Sequence, residues 1–191
     1  MRCWRSIARD LGLALLLAAW GLAALAGNIE PVRAGLAPTD DGYALSAEFT
    51  VDLGPRLEEA VSHGVPLAFN LEFTLDRDRW YWLDEHVASV VVNYRLSYNA
   101  LTRQYRLAVG GLHQSFDTFA EAVQVLGHVA SLPVADKAAL KPGQTYLAAL
   151  RLSLDKSQLP KPFQLDAIAN RDWKVETRVL RWPYTPAGEA R

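Results

Sequence analysis

The sequence predicts a mainly β domain, at the border with α+β, built as an antiparallel β-sandwich or partly open barrel of about seven or eight strands with two or three short helices. Three observations lead there. Tyr43, Leu45, Ala47, Phe49, Val51 and Leu53 alternate with Ala44, Ser46, Glu48, Thr50 and Asp52, the period of two that a half-buried strand shows. Val90, Val92, Tyr94, Leu96 and Tyr98 face Tyr105, Leu107 and Val109 across the polar loop 99–103, which reads as an antiparallel hairpin. Strand patterns also follow one another with few long helices between them, which disfavours a parallel sheet.

Each element has its own signal. A weaker strand spans 29–36, ahead of the alternating run 43–53. Gly54-Pro55 then opens a short helix with proline in its first turn; Leu57, Ala60 and Val61 share a face, and Gly64 ends it. Phe69, Leu71, Phe73 and Leu75 make the next strand. After the hairpin, Gly110-Gly111 marks a bulge or break before a short strand to Gln114. Thr118 and Glu121 have capping-box spacing, with Phe119, Ala122, Val123 and Leu126 on one face, so a second helix is expected to end near Gly127 to Ser131. An Ala- and Pro-rich loop precedes the strand of Tyr146, Ala148, Leu150, Leu152 and Leu154. Pro160, Pro162 and Asn170 argue for an irregular crossing, and Trp173, Val175, Thr177 and Val179 for the last strand.

The chain has 191 residues. Met1, Arg2, Arg5 and Arg9 give a positive start, 11–25 is apolar, and Ala24-Leu25-Ala26 offers small residues at a cleavage spacing, so residues 1–26 are expected to be an export signal cut after Ala26. The apolar stretch, about 15 residues, is shorter than the roughly 20 of a spanning helix, which makes an uncleaved inner-membrane anchor the alternative. Residues 27–191 then form one β-rich domain, its tail frayed over 184–191. The only cysteine is Cys3, so the mature chain carries no disulfide and no thiol chemistry. Removing Arg2, Arg5, Arg9 and Asp10 takes 20 basic and 21 acidic residues to 17 and 20. A mildly acidic chain with scattered basic residues gives no electrostatic reason to expect nucleic acid, and membrane contact is expected only if the leader stays uncleaved.

The segment Arg77-Asp78-Arg79-Trp80-Tyr81-Trp82-Leu83-Asp84-Glu85-His86 gathers three large aromatics and six further ionisable side chains besides Tyr81. Arg77, Arg79, Trp80, Trp82, Asp84 and Glu85 are the candidate binding residues: if the segment is extended, both Trp side chains lie on one face and can grip a peptide or protein edge. The structural alternative has the indoles closing the end of a sheet, with Arg79 over one of them. Asp76, Asp78, Asp84 and Glu85 could offer oxygens to calcium, but Arg77 and Arg79 neutralise them. His63, His86, His113 and His128 lack zinc-ligand spacing. His113, Ser115 and Asp117 are too close in sequence to stand for a triad, and no serine elbow, phosphate loop or dinucleotide fingerprint occurs. No catalytic residue, metal or cofactor is assigned.

Several short segments stand in one order: Pro55-Arg56-Leu57, Gly64-Val65-Pro66-Leu67, 79–85, 95–105, Gln114-Ser115-Phe116, Leu154-Asp155, Leu159-Pro160-Lys161-Pro162 and Asp172-Trp173. In these the chain resembles the DUF4390 family, exported proteobacterial proteins of unknown function. The resemblance implies export from a Gram-negative cell, a single β-rich domain, and a gene neighbourhood shared with a membrane sensor kinase of the nitrogen-regulation type. The expectation is a periplasmic, non-enzymatic protein-binding or signalling-accessory module whose partner is a periplasmic or membrane protein. The alternative is a cell-envelope hydrolase or a small-ligand or peptide binder using 77–86, with Asp84, Glu85 or His86 as acid or base.

Overall fold

In a computed structural model the described residues are 27–77 and 85–187. They form two antiparallel sheets facing each other as a sandwich. One has three strands in the order β1 (Asn28–Pro38), β2 (Gly42–Asp52), β7 (His128–Asp136). The other has six, in the order β6 (Leu112–Phe116), β5 (Gln104–Val109), β4 (Glu85–Asn99), β3 (Leu67–Arg77), β8 (Tyr146–Leu154), β9 (Leu180–Tyr184). Three helices, α1 (Gly54–Ser62), α2 (Phe119–Leu126) and α3 (Lys161–Ala169), complete the described elements. None of the described helices is long and apolar enough to cross a membrane. The predicted leader and the heart of the 77–86 segment lie outside the described residues.

Alternation places the core. Leu67, Phe69, Leu71, Phe73 and Leu75 of β3 point inward beside Tyr146, Ala148, Leu150, Leu152 and Leu154 of β8, and all ten are buried. Leu45, Ala47 and Phe49 of β2 face them from the other sheet. Full burial of one such Leu or Phe is worth roughly 1.5–3 kcal/mol, so this double row carries most of the sandwich. α1 lays Leu57, Ala60 and Val61 on the core, begins with Pro55 and is followed by Gly64 at φ 88°. α2 has the predicted capping box: the Glu121 N–H donates to Thr118 Oγ1 at 3.2 Å, and the Thr118 N–H donates to Glu121 Oε2 at 3.4 Å.

The break expected at Gly110-Gly111 is present, and four other local expectations need correction. Gly110-Gly111 is a tight turn joining β5 to β6, with Gly110 at φ 57°. The stretch after α2, expected as a loop, is β7; Pro133, Ser131 at φ 50° and two register shifts against β2 break its alternation. The Pro-rich crossing contains α3, because Pro162 sits in its first turn, where a missing N–H costs nothing. The last strand is displaced: Trp173 lies in a 3₁₀ turn, Glu176 makes an isolated bridge to Ser153, and regular pairing begins only at Leu180. The tail is also held further than expected, since Tyr184 pairs with Tyr146, Pro186 is buried and its carbonyl accepts the Gly143 N–H at 3.1 Å.

Candidate functional site at the neck of the long hairpin

The predicted binding segment joins β3 to β4, the longest strand of the fold at 15 residues. Of the six candidate residues the structure describes Arg77 and Glu85; Arg79, Trp80, Trp82 and Asp84 lie outside the described residues, as does Asp78. What the structure does define is the neck from which the segment leaves. The final register pairs are Asp76 with His86 and Arg77 with Glu85, after a bulge that leaves Val87 without a partner on β3. Residues opposite each other in an antiparallel ladder share a face and neighbours lie on opposite faces, so the two pairs clamp the neck from both sides. The Arg77 guanidinium meets the Glu85 carboxylate on one face, and His86 Nδ1 lies 2.8 Å from Asp76 Oδ1 on the other.

The Arg77 side chain is only 17% exposed, against 41% for Glu85. Its inner neighbours explain that. Arg77 Nη1 donates to Gln144 Oε1 at 3.4 Å, and one register step beyond the Asp76 and Leu147 pair brings it beside buried Tyr146. The Tyr146 hydroxyl accepts the Lys141 N–H at 2.8 Å. Tyr184 packs edge-on against Tyr43 with ring centroids 6.0 Å apart, and Phe73 meets Trp182 at 6.4 Å. Burial, then the Tyr43 ring, push the Tyr184 hydroxyl above its ordinary pKa. The neck thus stands on a layer of aromatic rings. Arg77 is therefore largely buried and ties the end of β3 both to Glu85 of β4 and to Gln144 ahead of β8.

The remaining sequence candidates disperse. Asp76 and Glu85, two of the four calcium candidates, are engaged by His86 and Arg77. Among the described residues no three His, Cys, Asp or Glu side chains gather as metal ligands. His63 Nδ1 lies 2.8 Å from the Glu59 carbonyl oxygen on α1, and Asp117 accepts from Gln104 Nε2 at 3.1 Å.

One polar cluster was not legible in advance. Arg56 of α1 donates from Nη2 to Asp166 Oδ2 of α3 at 2.6 Å, and the indole N–H of Trp173 donates to the same oxygen at 2.8 Å. Trp173 is 1% exposed and packs on Phe163 at 5.9 Å. The Arg56 bond, then the indole N–H, hold the Asp166 carboxyl below the usual carboxylate range. A cavity of about 410 Å³ adjoins the cluster, bordered by His63, Val65 and Glu59. Asp155 makes a second hub: Ser157, Gln158 and Asn70 donate to its carboxylate and lower its pKa in that order of strength. The first cluster ties α1 to α3 and to the 3₁₀ turn at Trp173, and the second ties β3 to the turn that follows β8.

The described residues thus define an antiparallel, two-sheet β-sandwich with its longest strand paired to β3 at the neck. The model of the family described as "Domain of unknown function (DUF4390)" matches residues 26–183, and the chain belongs to that family. No curated protein and no solved structure matches it.

Proposed function

We propose that this chain is an exported, periplasmic, non-enzymatic module that binds a protein partner through the segment carried on the β3–β4 hairpin, as an accessory to a membrane signalling protein such as a sensor kinase. The observation that carries the proposal is the neck: the Arg-, Trp- and Asp-rich sequence 78–84 connects β3 to β4 directly beyond the Arg77–Glu85 ion pair and the His86–Asp76 hydrogen bond. A segment whose two ends are fixed loses less conformational freedom on binding, and Trp and Arg are the residues in which interface energy concentrates. The leader pattern and the family's exported character support the compartment. For the hydrolase reading, Glu85 lies against Arg77 and His86 against Asp76, while Asp84 lies outside the described residues.

The test is affinity capture from the periplasm with the wild-type chain and with Trp82→Ala. Loss of a specific partner, with the melting temperature unchanged, is expected. Retention of every partner by a folded Trp82→Ala chain contradicts the proposal, as does turnover of glycan, peptide or ester substrates abolished by Glu85→Gln.

A further inference from the structure

The outer edge of β4 is only half used. β3 pairs with β4 along the strand, but β5 covers the other edge only from Tyr94 to Asn99, because its turn at Gly110-Gly111 carries the chain away into β6. Among the described residues nothing pairs with the outer edge over residues 87–93. That stretch, Val87-Ala88-Ser89-Val90-Val91-Val92-Asn93, has no charged residue and no proline, the devices by which exposed edges normally avoid pairing. Its inward side chains Val87, Val90 and Val92 are only partly buried, and Val91 on the outer face is 58% exposed. Two openings lie along it between β4 and β7. One, of about 420 Å³, is bordered by Val87, Ser89 and Val134; the other, of about 320 Å³, by Val92, Val109 and Leu132.

We propose that this edge receives an extended segment of the partner polypeptide, added as a strand antiparallel to β4 and in line with β5. The inference rests on the reading of the chain as a protein-binding module and names how the partner is held. β5 shows what the occupant looks like, since it fills the other half of the same edge and turns Leu107 and Val109 toward the interior. An occupant continuing that line needs uncharged, preferably β-branched residues at alternate positions over about seven residues, meeting Val90, Val92 and Leu132. Unpaired main-chain N–H and C=O groups spaced along a strand are matched by another extended chain and not by a lipid or a small molecule. Asp41 and Asp136 at the end near Val87 favour a Lys or Arg at that end of the segment.

The test uses the purified full chain and displayed random peptides of about nine residues. Selection is expected to enrich alternating apolar sequences. A chosen peptide should protect amides within 87–93 from hydrogen exchange, and N-methylating its alternate amides should weaken binding at least about tenfold. Val90→Lys should weaken it similarly; if that variant does not fold, the N-methylated peptides decide on the wild-type chain. No enrichment, enrichment without alternation, equal binding of N-methylated peptides, or protection confined to other strands each overturns the proposal. So does a concentration-dependent dimer abolished by Val91→Lys, which would make the occupant a second copy. If Trp82→Ala loses the natural partner while no peptide selects this edge, the hairpin reading survives and strand addition fails. If Val90→Lys loses the partner and Trp82→Ala keeps it, the edge stands and the hairpin falls.

Discussion

Asp166 shows how a single exposed carboxylate can organise a region. It accepts from Arg56, far away in sequence, and from the indole of buried Trp173, and both bonds favour its ionised form. A carboxyl whose folded pKa is depressed contributes stability above the pKa of the unfolded chain, and that contribution disappears as pH falls through the folded value. Acid unfolding is therefore expected to flatten in Asp166→Asn, with less of the stability lost below about pH 4 than in the wild type, as followed by urea titration at several pH values. The amide can still accept from Trp173, so the remaining difference reports the Arg56 pair. Thr118 is a second residue with one definable task. Replacing it with Ala removes the acceptor for the Glu121 N–H and is expected to cost about 1 kcal/mol, measurable as a shift in the denaturation midpoint at unchanged slope.

At the scale of elements, two glycines leave no room for a side chain where β2 meets β7 and the residue before it. A Cβ at Gly42 would lie 2.2 Å from the Ala135 carbonyl oxygen, and one at Gly127 would lie 2.5 Å from that of Phe49. Neither obstacle is a flexible side chain, so Gly42→Ala must displace a strand and is expected to destabilise by about 2 kcal/mol in the same assay. β7 is also the element least visible in the sequence. β2 and β3 announce themselves because one face of each is almost wholly buried, β4 and β5 because their apolar residues alternate, and α1 and α2 because their apolar stripes come with helix-end signals. In β7 the proline, the left-handed Ser131 and the register shifts erase the period of two. α3 hides for another reason: only Ala167 is buried while Leu165 and Ile168 are exposed, so its sequence carries no clean stripe. The position of the 77–86 segment between two long strands was readable from the patterns on either side. The pairing of Arg77 with Glu85 and Asp76 with His86 needed the register, and the Arg56, Asp166 and Trp173 cluster needed the tertiary fold. Within segments 55–57, 154–155 and 172–173, Arg56, Asp155 and Trp173 hold neighbouring elements together.

For the whole molecule the two sheets supply rigidity, and the surface proposed for recognition is the β3–β4 end with the neighbouring β4 edge. Export is the condition for that surface to meet its proposed partner. An alkaline phosphatase fused after Pro186 is expected to be active, and deletion of residues 2–26 to abolish that activity; an active fusion without those residues contradicts export through the leader. The most direct test of the central claim is photo-crosslinking in living cells with a photoreactive residue in place of Tyr81. The account predicts a discrete adduct with a membrane or periplasmic protein that Trp82→Ala removes without changing the amount of folded chain. The same adduct persisting in Trp82→Ala, or no adduct from this position while one forms from a distant surface such as Leu101, would contradict it.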